Sequence, residues 1–333
     1  MHGRSGGAIS SILSVHYLTR IIMTIHFAIL ARRRLAAAVA AALCCVLPAA
    51  AATPSPNTQG MVEAPCTGLP ALPDVPRALV DMFIEPGAMR PAELERLIAG
   101  PIMTQRARAE EMRRQLDWPD LCRYAAANAT VTAAGTAIDG VFLGDSITEL
   151  WSESAARVFG DHWLNRGIAG QTSPQILLRF AADVAALRPR FVHLMAGTND
   201  IAGNTGPTSA QRYQDNIEAM VAIAKRQGIA VLLASIPPAA SMPWRPSPGT
   251  PARIEALNRW LKALALSEDL VYVDYHAVLA APDGTFRADF SNDGVHPNNR
   301  GYARMKSVLE SALGQLPDKR SQNGRAAIPT VKE

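Results

Sequence analysis

The chain has 333 residues, a formal net charge of +4 and 48% hydrophobic residues, with a sequence isoelectric point near 9.0. The charge is lopsided: residues 1–52 hold Arg4, Arg20, Arg32, Arg33 and Arg34 and no acid, and taking those five from the 33 basic residues leaves 28 against 29 acidic ones. A nucleic-acid binder needs Lys and Arg clustered in its folded body, so no nucleic-acid partner is expected, and the hydrophobic fraction excludes a disordered chain.

In chain order the leader comes first. Arg32-Arg33-Arg34 is followed by the apolar run Leu35–Leu47, then by Pro48 and four alanines. A positive start, a short apolar stretch and small residues before a cut are the parts of a secretory signal. The Ala50-x-Ala52 pattern places the cut after Ala52. The run is too short for a transmembrane helix, which needs about 20 residues. Residues 1–52 therefore read as a signal peptide, with Met23 as an alternative start. The mature chain is expected in the periplasm or outside the cell, without a stable membrane span. The cut removes Cys44 and Cys45 and leaves Cys66 and Cys122. In an oxidising compartment these two pair most simply as one disulfide, the other reading being two free thiols.

Residues 53–62 read as a linker and 63–137 as a helical N-terminal extension, because Arg90–Ile98 and Gln105–Gln115 carry helix formers without strand alternation. From 138 to 316 short apolar runs alternate with amphipathic helices, and 317–333 reads as a disordered tail. Strands are expected at Val141–Leu143, Trp163–Asn165, Phe191–Met195, Ile229–Ser235 and Leu270–Val273. Helices are expected at Pro174–Leu187, Ser209–Gln227, Ile254–Leu266 and Tyr302–Leu313. Apolar strands without alternation fit a parallel sheet buried on both faces, and βα alternation predicts a three-layer α/β/α fold. Functional groups then belong in loops beyond the carboxyl ends of the strands.

Four such places carry polar residues: Gly144-Asp145-Ser146, Asn165 to Thr172, Gly197-Thr198-Asn199-Asp200 and Asp293-Gly294-Val295-His296. Together they suit acyl transfer. A serine needs a base to take its proton, and the base needs an orienting acid. Asp293 and His296, three residues apart, can meet in one short turn. A serine at a helix start, a glycine and an asparagine amide can supply donors to an oxyanion, each typically worth about 3 kcal/mol. Singly each motif is weak, and their order and placement carry the reading.

These blocks resemble the SGNH hydrolase superfamily, the GDSL-type esterases and lipases, from about Val141 to Tyr302. The resemblance implies Ser146 as nucleophile, Asp293 as orienting acid and His296 as base, with Ser146, Gly170 and Asn199 forming the oxyanion hole. It also implies a flavodoxin-like sandwich around a five-stranded parallel sheet and no cofactor. Gln171 stands where many relatives carry Asp. The G-x-S-x-G elbow of the α/β-hydrolases is absent, because Thr148 replaces its second glycine. No metal-binding spacing appears.

His193, inside an apolar strand, reads as a core residue, and Asp145 and Asp200 as caps or loop organisers. Trp151 and Trp244 are candidate substrate-binding residues, Trp244 by stacking on a sugar face. The expected activity is an exported serine esterase acting on small-molecule or carbohydrate esters, with a preference for short acyl groups such as acetyl. Alternatives are a lysophospholipase or arylesterase of the same mechanism, a transferase, and a non-catalytic module binding envelope polysaccharide. The sequence sets no oligomeric state.

Overall fold

Among the described residues four helices precede the first strand: α1 (Arg77–Ile84), α2 (Pro91–Ile98), α3 (Pro101–Leu116) and α4 (Ala125–Ala134). Both α2 and α3 carry proline in the first turn, where the missing N–H costs nothing. The strands β1 (Gly140–Gly144), β2 (Trp163–Gly167), β3 (Phe191–Met195), β4 (Ala230–Ala234) and β5 (Val271–Val273) follow. Between and after them lie α5 (Ser146–Trp151), α6 (Ser173–Asp183), α7 (Thr198–Ala202), α8 (Ala210–Arg226), α9 (Thr250–Ser267), α10 (Tyr275–Leu279) and α11 (Asn299–Leu313). This is a computed structural model describing residues 64–316; the expected signal peptide, linker and tail lie outside the described residues.

All five strands pair in parallel, in the order β2-β1-β3-β4-β5. Side chains alternate between the two faces, and both faces are covered. Val141, Leu143, Val192, Leu194, Val231 and Leu233 pack toward α6, α8 and α9. Phe142, Leu232 and Val273 pack toward α5, α10 and α11, with Val80 and Ile84 of α1 joining that layer. The fold is the expected α/β/α sandwich. Gly144 of β1 stands level with Gly167 of β2 and Met195 of β3. The loops leaving these strands therefore converge where the strand order reverses, the usual crevice for a ligand.

Element ends differ where local chemistry overrides periodicity. The helix expected to reach Leu187 stops at Asp183 and is followed by a turn of 3-10 helix at Ala185–Leu187. Arg188 there has φ 47° and precedes Pro189, which cannot continue a helix. The last helix starts at Asn299 because the Asn298 side chain accepts from the N–H groups of Arg300 and Gly301. Likewise α9 begins at Thr250, with Pro251 in its first turn.

Cys66 and Cys122 are bonded, with Cα atoms 5.4 Å apart and a sequence separation of 56. In the chain-entropy description a loop of that length stabilises by about 4 kcal/mol. Asn128, within an Asn-Ala-Thr glycosylation pattern, is buried, and its amide nitrogen donates to Asp183 Oδ1 at 2.7 Å, so the folded chain offers no acceptor there. Among the described residues no helix is long and apolar enough to cross a membrane.

Candidate active site

Asp145 ends the β1 turn and caps α5, its Oδ1 accepting from Ile147 N–H at 3.0 Å. That cap fixes Ser146 as the first residue of the helix. Ser146 Oγ lies 2.9 Å from His296 Nε2, and His296 Nδ1 lies 2.7 Å from Asp293 Oδ2. The other carboxylate oxygen of Asp293 accepts from the N–H groups of Val295 and His296 at 3.0 and 2.8 Å. The short turn foreseen from the spacing thus brings acid, imidazole and serine into one line.

Burial raises the Asp293 pKa, but the His296 charge, its ring N–H and the two backbone donors outweigh that and hold it at about 2. Burial likewise lowers the His296 pKa, and the Asp293 and Asp145 carboxylates more than offset it, leaving His296 above its ordinary value. Asp145 is held near 6, raised by burial and by Asp200 against the pull of the Ile147 N–H and His296. Asp200 is buried and accepts from Ser173 N–H and Oγ, which ties the loop after β3 to the start of α6.

Opposite the serine, Gly170 has φ +79° and Gly197 has φ +133°, both in the region that favours glycine. A Cβ on Gly197 would sit 2.4 Å from Ile236, so only glycine lets this loop turn Asn199 inward. Neither Ser146 N–H nor Gly170 N–H has an acceptor among the described residues. Asn199 Nδ2 lies 3.0 Å from Gln171 O and 3.2 Å from Asp145 Oδ2. Asn204, missed by motif reading, is a hub: its amide nitrogen donates to Asn199 Oδ1 at 2.7 Å and Gly170 O at 3.2 Å, and its oxygen accepts from Trp244 Nε1 at 2.8 Å. An asparagine just past Gly203 was its only trace in the sequence.

The two tryptophans part ways. Trp244 stacks on the His296 ring, with centroids 6.3 Å apart and planes at 29°. Trp151 corrects an expectation. It is fully buried on the far layer, stacked on Tyr302 at 5.6 Å with its indole N–H given to Ala156 O, and offers no surface to a substrate. At the end of a six-residue helix its side chain turns to the core rather than the crevice. His193 is buried against Phe142 at 4.8 Å and lies 2.9 Å from the Tyr275 hydroxyl, and burial brings its pKa down to about 3.

The N-terminal extension grips both halves of the site. Phe83 of α1 meets the His296 ring edge-on at 5.5 Å. Asn292, beside Asp293, donates to Met82 O at 2.8 Å and Glu85 O at 2.6 Å and accepts from Gly87 N–H. On the other side Tyr124 gives its hydroxyl hydrogen to Gly167 O, Gln171 Nε2 donates to Pro119 O, and Gln175 Nε2 donates to Trp118 O. Glu149 accepts from Ala169 N–H and pairs with Arg123.

Comparison with known proteins decides the family. The GDSL-like lipase/acylhydrolase family model matches residues 142–304. A Bacteroides fragilis structure assigned to the acylhydrolases is 38% identical, over 60% of this chain and 98% of that one, with a TM-score of 0.57. The chain belongs to the GDSL-like lipase/acylhydrolase family. A GDSL-like lipase from Bacteroides thetaiotaomicron agrees, at 35% identity over 60% of this chain and 99% of that one, TM-score 0.56. This acylhydrolase is accordingly a carboxylic ester hydrolase. An uncharacterised lipoprotein of Bacillus subtilis, YqeF, is 37% identical over 78 residues, 22% of this chain and about a third of that protein (32%). The family match starts at Phe142, so α1 to α4 of the acylhydrolase lie outside it.

Proposed function

We propose that the protein is an exported serine esterase that removes short acyl groups through an acyl-enzyme. The observation that carries the reading is the continuous line from Ser146 Oγ through His296 to Asp293, at 2.9 and 2.7 Å. In the reaction His296 Nε2 takes the Ser146 proton as Oγ attacks the ester carbonyl, and then returns it to the leaving alcohol. Asp293 keeps the other ring nitrogen protonated and stabilises the imidazolium. The N–H groups of Ser146 and Gly170 and the Asn199 amide receive the oxyanion, Asn199 exchanging its contact with Asp145 or Gln171 for the substrate oxygen. Water, activated by His296, then releases the acid.

A short acyl group fits because His296 is walled by the rings of Phe83 and Trp244. A long chain would gain about 0.8 kcal/mol for each methylene buried, and only where room beyond these rings admits it. p-Nitrophenyl esters from acetyl to palmitoyl test this. Specificity is expected to be highest at acetyl and to fall from butyryl onward. Absence of hydrolysis at every length overturns the esterase mechanism, and a rise toward palmitoyl overturns the short-acyl preference.

Export rests on the leader charge and the small residues before Thr53. Protein recovered from the producing cell is expected to begin at Thr53, and a product that retains residues 23–52 overturns the cut.

A further inference from the structure

The molecule holds a cleft of about 430 Å³ that starts at Gly170 and Trp244 and runs out between the hydrolase domain and the extension. Its far wall is α3 and the segment 117–123, which lie outside the family match. We propose that this cleft is the binding site for the leaving alcohol and that it takes a neutral, hydroxyl-rich ligand, an oligosaccharide chain rather than a lipid or a polyanion. The proposal rests on the esterase reading for the direction in which the substrate lies; the ligand class rests on the cleft alone.

Three features set that class. First, the wall is charged but balanced: five arginines and five carboxylates line it. The arginines of the extension are already answered, as in Arg113 to Asp120 at 2.5 Å, Arg114 to Glu111 at 2.5 Å and Arg123 to Glu149 at 2.9 Å. A polyanion finds no uncompensated positive field there. Second, these fixed planar groups still present further N–H donors and oxygen acceptors, which suit hydroxyls that both give and accept, while an alkyl chain would strip water from charges without replacing it. Third, the cleft has an indole at each side. Trp118, 41% exposed, lies on the extension wall, and Trp244 faces the catalytic histidine. A sugar ring turns one face of C–H bonds outward, and a flat indole buries that face while the ring hydroxyls reach the charged walls. The volume lies within the range of ordinary small-ligand sites.

The arrangement also explains why the extension is held so firmly at both ends. The Gln171, Gln175 and Tyr124 hydrogen bonds fix 117–124 against the segment that follows β2, and the Cys66–Cys122 bond ties the same stretch to the start of the extension, so a ligand lying on Trp118 is placed relative to Gly170.

The test is calorimetric binding of unacetylated xylohexaose, cellohexaose and mannohexaose to the protein, beside a galacturonate hexamer and lysophosphatidylcholine micelles. At least one neutral hexasaccharide is expected to bind with a Kd below about 1 mM. Trp118→Ala and, separately, Arg114→Ala are expected to weaken it tenfold or more, with circular dichroism reporting whether each variant is folded. Preference for the galacturonate or the micelles over all neutral sugars overturns the assignment. So does hydrolysis of p-nitrophenyl acetate with no sugar binding, which leaves the esterase mechanism standing. Sugar binding lost in the two variants without hydrolysis of any ester supports the cleft and overturns that mechanism instead.

Discussion

Asp293→Asn is expected to lower kcat on p-nitrophenyl acetate about 10⁴-fold, as far as Ser146→Ala to within an order of magnitude, while leaving the fold intact. The asparagine can keep its oxygen on the N–H groups of Val295 and His296, now held by Asp293 Oδ1 at 3.0 and 2.8 Å. Its NH2 then faces His296 Nδ1, which must accept. The ring hydrogen moves to Nε2 and points at Ser146 Oγ, so the imidazole cannot take the serine proton. Because the three residues act as a unit, Ser146→Ala/Asp293→Asn is expected to be no slower than Ser146→Ala alone. The pH profile supplies a second reading. Neutral His296 is the active form and its pKa lies above 6.5, so the acid limb of kcat/KM is expected above that value. Without the Asp293 charge, burial dominates and the limb of the residual activity moves to lower pH. Stability follows the same pair. The depressed Asp293 contributes stability above its ordinary 3.8 that is lost as pH falls toward about 2. The raised His296 contributes stability below 6.5 that is lost as pH climbs through its folded value. Retention of more than a hundredth of the activity in Ser146→Ala, or an acid limb unmoved in the asparagine variant, would sink the assignment of roles.

Much of the architecture was legible because its signals are local. A parallel strand buried on both faces has to be apolar throughout, so Phe191–Met195 and Ile229–Ser235 stood out, and the polar blocks after the first three strands marked the crevice. The turn from Asp293 to His296 needs only its own spacing. What stayed hidden depends on contacts between distant segments. Asn292 reads as one more polar loop residue until Met82 O and Glu85 O, over 200 residues earlier, arrive to accept from it. The role of Gln171 was hidden for a similar reason: it accepts from Arg179 Nε at 2.6 Å and donates to Pro119 O at 2.8 Å, and a carboxylate could do only the first. Trp151 misled because nearness in sequence to Ser146 says nothing about which side of a short helix faces the core.

The largest stability effect is expected at Arg179, which sequence reading passed over as an ordinary helix residue. Its side chain is fully buried beneath the loop after β2 and donates to Asp183 Oδ2 at 3.0 Å, Gln171 Oε1 at 2.6 Å and Gly144 O at 2.8 Å. One guanidinium thus joins the end of β1, the loop after β2 and the body of α6. Arg179→Ala leaves the Asp183 carboxylate buried without its ion-pair partner and the Gln171 side-chain oxygen without its donor, and is expected to cost about 3–5 kcal/mol. In a domain of this size that lowers Tm by roughly 10 °C or more. Asn128 Nδ2 still donates to Asp183 at 2.7 Å, and Arg166, held to Asn128 Oδ1 at 2.9 Å, stands behind it, which limits the loss. Arg179→Met/Asp183→Leu separates charge from geometry. Removing both ions is expected to recover most of the lost Tm, since a buried pair replaced by apolar groups of similar volume is close to neutral. Activity is expected to stay low in the double variant, because the tie that one guanidinium makes between Gly144 O and Gln171 Oε1 is gone. A double variant that regains both Tm and kcat would show that Arg179 stabilises the fold without shaping the site.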